Sequence, residues 1–588
     1  MKNVFKMIAV AALAVGTVSC DLTLYPEDAV SPEVYFKSES DFEQWTNYLY
    51  KALLDDANTV SRYNADDMVD KSMGSIIQGT RLASDAMNGN NEWNWNMLRR
   101  INYLLENSSN CEDEAVRTKY EGITYFFRAY FYFQKVMRFG DVPYYDKVLE
   151  STDTEFLNKP RDDRGYVMDR VMEDFDRAIE MIPETKDPNS ARVTKWVALA
   201  MKSRAALFEG TWRVYHEMPD AEKYLEQAAA AAKTFIEESG YTLYKQGEQP
   251  YRDLFCSDNA KTEEVVLARL YQFEALNVSN SVQFNIRNDA QGFTRRFMNH
   301  YLMADGSRFT DIEGNETMFY TEETKGRDPR MAQTVLCPGY IAVDETATTP
   351  NDMTSLTGYE PIKFVASAEH SGASKGTCDW PLIRAAEVYL NYAEALAELG
   401  TLDQAALDVS VNEIRDRAGM PDLIISEANN NIDPFLASCY PNVKEGPNKG
   451  VILEIRRERT VELVNEGFRQ WDMLRWKEGE QMVKKEKPYY GIWFPSEGLY
   501  DMDGDGKNDL EIYSQVQQSK PADGLTVKKI GSDLVLSEGT YGYVVAWSTL
   551  TWEWNDREYL WPIPADQRVL TGGALTQNPG WTDSTNFN

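Results

Sequence analysis

The stretch ITYFFRAYFYFQKVMRFGDVP, Ile123 to Pro143, decides how the rest of the chain is read. Ile123, Phe126, Phe127, Tyr130, Phe133 and Met137 recur at intervals of three and four, the spacing that lines one face of an α-helix. Gly140 and Pro143 supply the turn chemistry that ends it. A face this apolar requires a partner, and Val167, Val171, Phe175, Ala178 and Ile179 repeat the pattern downstream. From about Asp41 to Ser239 the helical pattern is almost unbroken, with breaks at Pro183 and Pro188, Pro219 and Asp220, and Gly240. Helices of this length in antiparallel pairs are what a helical repeat array needs. A later unit, Tyr389, Ala393, Leu396 and Gly400 followed by Ala405 and Ala406, is similar to the small-residue helix contacts of tetratricopeptide repeats.

Outward from the helices the pattern changes. β-like runs such as Val265 to Leu270 appear between Tyr241 and Ser307, and Thr321 to Cys378 is rich in Thr, Ser, Gly and Asp. Another helical block runs from Val451 to about Glu478, followed by a Gly-, Asp- and Trp-rich region up to Tyr559. The expected fold is mainly α, a helical scaffold with large irregular insertions and minor β. No composition shift separates domains, so one domain is expected over residues 20–588, with an N-terminal helical half (about 20–240) and a C-terminal half (about 241–588).

The 588 residues are 43% hydrophobic and 26% charged, the balance of a folded globular chain. A net charge of −32 repels phosphate backbones and excludes nucleic acid as a partner. The first twenty residues differ from the rest. Lys2 and Lys6 precede an apolar run from Met7 to Val15, and small residues Gly16, Thr17 and Ser19 precede Cys20. Residues 1–19 therefore read as an export signal, too short to span a bilayer. Small residues directly before a cysteine resemble a bacterial lipoprotein signal, which leaves Cys20 lipidated; Thr17 departs from the apolar residue usual there, and plain secretion is the alternative. The remaining cysteines are odd in number with no CxxC pair, and the three histidines lie far apart, so spacing points to neither a disulfide framework nor a zinc site.

Eight segments together carry a resemblance. LTLYPEDAVSPEVYF (Leu22 to Phe36), FFRAYFYFQKVMRFGDVP (Phe126 to Pro143), YLMADG (Tyr301 to Gly306) and GRDPR (Gly326 to Arg330) come first. DWPLIRAAEVYLNYAEALAELG (Asp379 to Gly400), EIRRERTVELVNEGFRQWDMLRW (Glu454 to Trp476), YLWPIP (Tyr559 to Pro564) and QNPGW (Gln577 to Trp581) follow. In this order they resemble the SusD/RagB family of outer-membrane nutrient-uptake lipoproteins. The resemblance implies a SusD-like α-helical fold with tetratricopeptide-like helix pairs packed against a loop-rich face. It further implies that this face binds an oligosaccharide, or in some members a peptide, without transforming it. The implied partner is a SusC-like TonB-dependent transporter, touched by the tetratricopeptide-like helices. No organic cofactor is implied.

Several residue sets bear on function. Glu454, Glu458, Glu462 and Glu466 lie four apart on a predicted helix, a spacing that invites a glycosidase reading. Interleaved Arg456, Arg457, Arg459 and Arg469 lower carboxyl pKa values and favour a structural ion-pair network instead. Gly372, Ser374 and Gly376 match GxSxG, but their flanks are polar and loop-like, unlike an esterase elbow. The expected ligand site is NGNNEWNWN, Asn88 to Asn96. Trp93 and Trp95, two apart, form a flat platform for sugar rings if the loop is extended, with Asp85, Asn90, Asn91 and Asn94 for hydroxyl groups; the alternative is that both indoles cap the core. A second set, Tyr271, Phe273 and Phe284 with Arg287, either completes an arc around the ligand or is core. Trp547, Trp552 and Trp554 are equally open.

DMDGDGKND, Asp501 to Asp509, follows a calcium loop: Asp501, Asp503, Asp505, the Lys507 carbonyl and Asp509 at the ligand positions, and Gly506 at the sharp turn. Ile512 stands where an EF-hand has its bidentate Glu, so Asp509 or Glu511 must close the shell of a structural Ca2+. The expected function is a cell-surface lipoprotein that captures a glycan and hands it to the transporter. Peptide capture, a glycoside hydrolase and a pure interaction scaffold are the alternatives.

Overall fold

The computed structural model describes residues 35–60, 65–83, 92–272, 277–483, 489–520 and 524–582. Its first half is helical: α1 (Glu39–Leu53), α2 (Asn96–Asn107), α3 (Glu114–Phe139), α4 (Arg164–Met181), α5 (Lys195–Tyr215) and α6 (Ala221–Glu238). Side chains set the starts. Asp113 accepts from the backbone N–H groups of Ala115 and Val116, Asp163 from those of Gly165 and Tyr166, and Thr194 from that of Val197. Gly140, at φ 69°, ends α3 as its place in the sequence predicts. The expected face of α3 is buried, with Phe126 and Phe127 fully enclosed. Arg128 joins α3 to α4 through a bidentate pair with Asp174, at 2.6 and 2.8 Å.

Successive helices pack as neighbours, α3 on α4 and α5 on α6, and α6 lies in turn against α7 (Ala385–Leu399). α5 and α6 approach closely at Gly210, where a Cβ would stand 2.7 Å from Leu225 Cγ. Ala228, Ala229, Ala231 and Ala232 bury the rest of that face of α6. Gly400 closes α7 in the left-handed region at φ 74°. The small-residue contact expected at Ala405 does not form: this residue is exposed, and Leu407 is buried in its place. Among the helices that follow are α8 (Val411–Ala418), α9 (Lys449–Glu462) and α10 (Arg469–Arg475). The block expected to run unbroken through Glu478 is divided at Asn465 and Gly467, both at positive φ.

The strands are short and scattered: β1 (Met68–Val69), β2 (Val265–Arg269), β3 (Gly292–Phe293), β4 (Trp380–Arg384), β5 (Tyr490–Phe494), β6 (Gly498–Tyr500), β7 (Leu510–Tyr513), β8 (Thr526–Lys529) and β9 (Gly542–Val545). β1 pairs with β3, β2 with β4 and β5 with β9, all antiparallel; β6, β7 and β8 form a mixed sheet. One helical core draws residues from Phe36 through Leu575 and so from both halves of the chain. A second core lies beneath the β5–β9 region, around Phe293, Tyr301, Ile492, Phe494 and Leu510.

The carboxylates of α9 and the turn after it are taken up by buried ion pairs. Glu454 pairs with Arg457, Glu458 with Arg330 and Arg415, Glu462 with Arg330, Arg384 and Arg417, and Glu466 with Arg384 and Lys363. Burial alone raises the pKa of Glu462, but the guanidinium groups of Arg417, Arg384 and Arg330 outweigh it and hold the carboxyl well below its usual range. A general acid needs the opposite shift.

Candidate functional site

The flat tryptophan platform is not formed. Trp93 and Trp95 stand edge to face, with ring centroids 5.5 Å apart and planes at 81°. Two residues apart share a side only in extended backbone, whereas here a turn at residues 92–93 leads straight into α2. Trp93 is 8% exposed and packs edge-on against Phe139, at 4.8 Å and 89°. Trp95 is half-buried among Phe131, Tyr132 and Tyr145. Asn94 is spent locally: its Oδ1 accepts from the Asn96 N–H at 2.8 Å. Both rings still flank a cleft of about 260 Å³ with Asn102, Tyr145 and Lys147. Asp85, Asn90 and Asn91 lie outside the described residues, as do Phe273 and Cys20.

Tyr271 and Arg287, from the second set, do not line this cleft. Tyr271 is 1% exposed in a separate core with Tyr251, Phe255 and Trp380. Its hydroxyl meets the Ala57 N–H at 3.3 Å and Asp56 at 3.4 Å, so no ring face is left for a ligand. Arg287 pairs with Asp352 and, at 3.2 Å, with Glu360. Trp547 is buried with its Nε1–H on the Asp70 carbonyl at 2.8 Å. Trp552 packs edge-on against Tyr489, and Trp554 against Tyr559. Ser374 sits in a turn, not between a strand and a helix, so no nucleophile elbow exists there.

A cleft that the sequence reading missed opens beside β5 and β9, with a volume of about 390 Å³. The half-buried Tyr490 stacks on Tyr543 at 4.9 Å and 29°, because β5 and β9 pair antiparallel and set the two rings on one face. Trp493, opposite Tyr543 in the register, meets it edge to face at 4.9 Å and 78°. Arg295, Arg296, Asn299, Asn315 and Gln481 supply the polar wall. Arg296 is anchored by the Gln481 carbonyl at 2.7 Å, and Arg295 by the Asn315 carbonyl at 2.6 Å. Asn299 Oδ1 and Gln481 Oε1 are buried without a partner among the described residues. Such a wall offers donors, acceptors and ring faces together. Sequence gave little sign of it, because the lining residues come from segments nearly 250 positions apart.

The acidic loop joins β6 to β7, so it caps an antiparallel pair and has no flanking helices. One oxygen each of Asp501, Asp503 and Asp509 converge within 4.8 Å of one another. Backbone donors hold them: Gly504 and Gly506 N–H groups on Asp501, and the Met502 N–H on Asp509. Thr348 Oγ donates to Asp503 at 2.5 Å. Gly506 takes the sharp turn at φ 87°. Asp505 departs from the expected set, its carboxylate turned to the Lys507 ammonium at 2.6 Å. Glu511 is buried and accepts from the Gln518 and Ser519 N–H groups, which leaves Asp509 as the closing carboxylate. Burial, with the neighbouring Asp503 and Asp501 charges, raises the Asp509 pKa. Three converging carboxylates with hard oxygen donors fit Ca2+.

Two family descriptions match the chain. The SusD family matches residues 277–581, and "Starch-binding associating with outer membrane" matches residues 24–207. Two SusD-like proteins of Formosa agariphila are 22% and 23% identical, each over 81% of this chain and over 93% and 91% of their own lengths. Among solved structures, a SusD-like protein of Bacteroides fragilis superposes with a TM-score of 0.68 at 23% identity, over 93% of this chain and 98% of that one. A SusD-like carbohydrate-binding protein of the same organism superposes at 0.65 and 20% identity, over 91% and 98%. The superpositions show a common fold over nearly the whole chain, and with the family match over residues 277–581 the chain is a member of the SusD family.

Proposed function

We propose that this protein captures a glycan on its loop-rich side and hands it to a TonB-dependent transporter in the outer membrane, where lipid on Cys20 holds it at the cell surface. One observation carries the reading: the cleft beside Tyr490 combines a stacked pair of phenol rings with amides and two guanidinium groups, and Glu316 is its one carboxylate among the described residues. Ring faces take the apolar C–H surface of a sugar, while amides and guanidinium groups take its hydroxyls. Glycoside hydrolysis needs two facing carboxyl groups, so this lining supports binding without bond cleavage. The carbohydrate-binding and starch-binding descriptions of its relatives support the same ligand class. The half-buried Trp95 beside the second cleft is read as a further contact, and the acidic loop as a structural calcium site.

Calorimetric titration of plant, host and microbial polysaccharides into the full chain tests this. Heat is expected with one glycan class, weakened about tenfold by Tyr490→Ala, the loss of about 1.4 kcal/mol from one stacked ring. Released reducing ends, or heat with peptides alone, would refute it.

A further inference from the structure

Two stretches of chain far apart in sequence meet outside both clefts. Asp258 lies in the loop after the short helix Pro250–Asp253, His370 in the 3-10 turn Ala368–Ser371, and Cys378 two residues before β4. One donor atom from each, a carboxylate oxygen, an imidazole nitrogen and the sulfur, lie within 4.8 Å of one another. His370 Nε2 is 3.1 Å from Asp258 Oδ1. The other ring nitrogen, Nδ1, meets Ser367 Oγ at 3.0 Å, which fixes the ring with Nε2 facing the cluster. Thr377 Oγ donates to the same Asp258 oxygen at 2.8 Å. The backbone is set as well: the Asp379 N–H bonds the Ser257 carbonyl at 3.1 Å, placing Asp258 and Cys378 on adjoining strands of chain.

The other two histidines differ. His216 is stacked on Trp212 at 3.9 Å with Nε2 on the Leu474 carbonyl, and both nitrogens of the buried His300 are bonded inside the core. His370 alone of the three stands beside both a carboxylate and a thiol.

We infer that Asp258, His370 and Cys378 form a binding site for one divalent transition metal of the zinc class. The donor set is the argument: imidazole nitrogen and thiolate sulfur select Zn2+ and its neighbours, whereas Ca2+ and Mg2+ take oxygen. Zinc–ligand bonds of about 2.0–2.3 Å place tetrahedral donors about 3.4–3.8 Å apart, so the cluster closes on a metal with a shift of about 1 Å. Asp258, whose side chain is 58% exposed, has the freedom to make that shift. As the metal–sulfur bond forms, the Cys378 thiol gives its proton to solvent. Three protein donors leave the fourth position to water, and the metal cross-links the irregular stretch before β4 to the loop that precedes β2.

Cobalt titration of the untagged full chain tests the site. Co2+ is expected to bind at one per chain with a thiolate-to-cobalt charge-transfer band in the near ultraviolet and tetrahedral visible bands, both removed by Zn2+. Cys378→Ser should abolish the charge-transfer band, and Asp258→Asn should weaken Zn2+ about tenfold. Near-ultraviolet circular dichroism checks that both variants keep the fold, and Asp503→Asn should leave the bands unchanged. No charge-transfer band in the unaltered protein, or bands that survive Cys378→Ser, overturns the proposal.

Discussion

Arg384 Nη1 donates to Glu462 Oε1 across 2.7 Å in the protein interior, with at most 2% of either side chain exposed. Arg384 ends β4 and Glu462 ends α9, so this pair locks the strand that leads into α7 onto the helix that crosses it. Arg417 and Arg330 complete the shell around Glu462. Two further carboxylates, Glu264 and Glu466, complete that around Arg384.

Glu462→Gln leaves three buried guanidinium groups short of a counter-charge. Breaking such a pair costs about 3–5 kcal/mol, so the urea midpoint should fall well outside the error of the wild type. Because the folded-state pKa of Glu462 is depressed, its contribution is fully present above the unfolded value of 4.5 and is lost as pH falls below it. The difference between variant and wild type should therefore shrink in acid. An unchanged midpoint at pH 7 would mean the network is not structural.

Asp67 gives the opposite pH dependence. Burial and the neighbouring Asp66 charge push its pKa from 3.8 up to about 7, and its Oδ1 has no hydrogen-bond partner among the described residues. The folded state keeps the proton where the unfolded chain has lost it, so this group's contribution is full below the unfolded value and declines as pH rises from 3.8 through about 7. Asp67→Asn should consequently raise the melting temperature at pH 8 and change it little at pH 4. Calorimetry at the two pH values checks the sign.

Trp93 and Trp95 should separate by role. Trp93, in the core against Phe139, should cost about 3–5 kcal/mol when truncated to alanine, measured by chemical denaturation. The half-buried Trp95 should cost less stability and more ligand affinity. Equal stability losses for both would argue that neither ring serves the cleft.

Millimolar calcium should raise the melting temperature of the full chain, by about 2.7 kcal/mol of added stability once the ion is at a hundred times its Kd. Asp503→Asn removes one of the three converging carboxylates and should abolish that rise. Metal analysis after dialysis, finding no calcium in the unaltered protein, would count against the site.

Much of this was legible in the chain because helix periodicity is local. The spacing of Ile123 to Met137 named the buried face of α3, Gly140 and Gly400 marked two helix ends, and the order of Asp501, Asp503 and Asp509 placed three carboxylates around one turn. Each feature depends on residues within a few turns of one another, whose geometry backbone stereochemistry fixes.

Tertiary packing decided the rest. The spacing of Trp93 and Trp95 predicts a shared face only in extended backbone and leaves core capping open; the turn before α2 sets one ring edge-on to the other. Tyr271 reads the same from sequence whether it lines a ligand or a core, and only its position beside Ala57 and Trp380 assigns it to the core. Asp258 and His370 are 112 residues apart, and Arg384 and Glu462 are 78 apart. Sequence determined which residues had to be buried or turned; which side chains then faced one another was set by long-range contacts, because a periodic pattern specifies a face and not its partner.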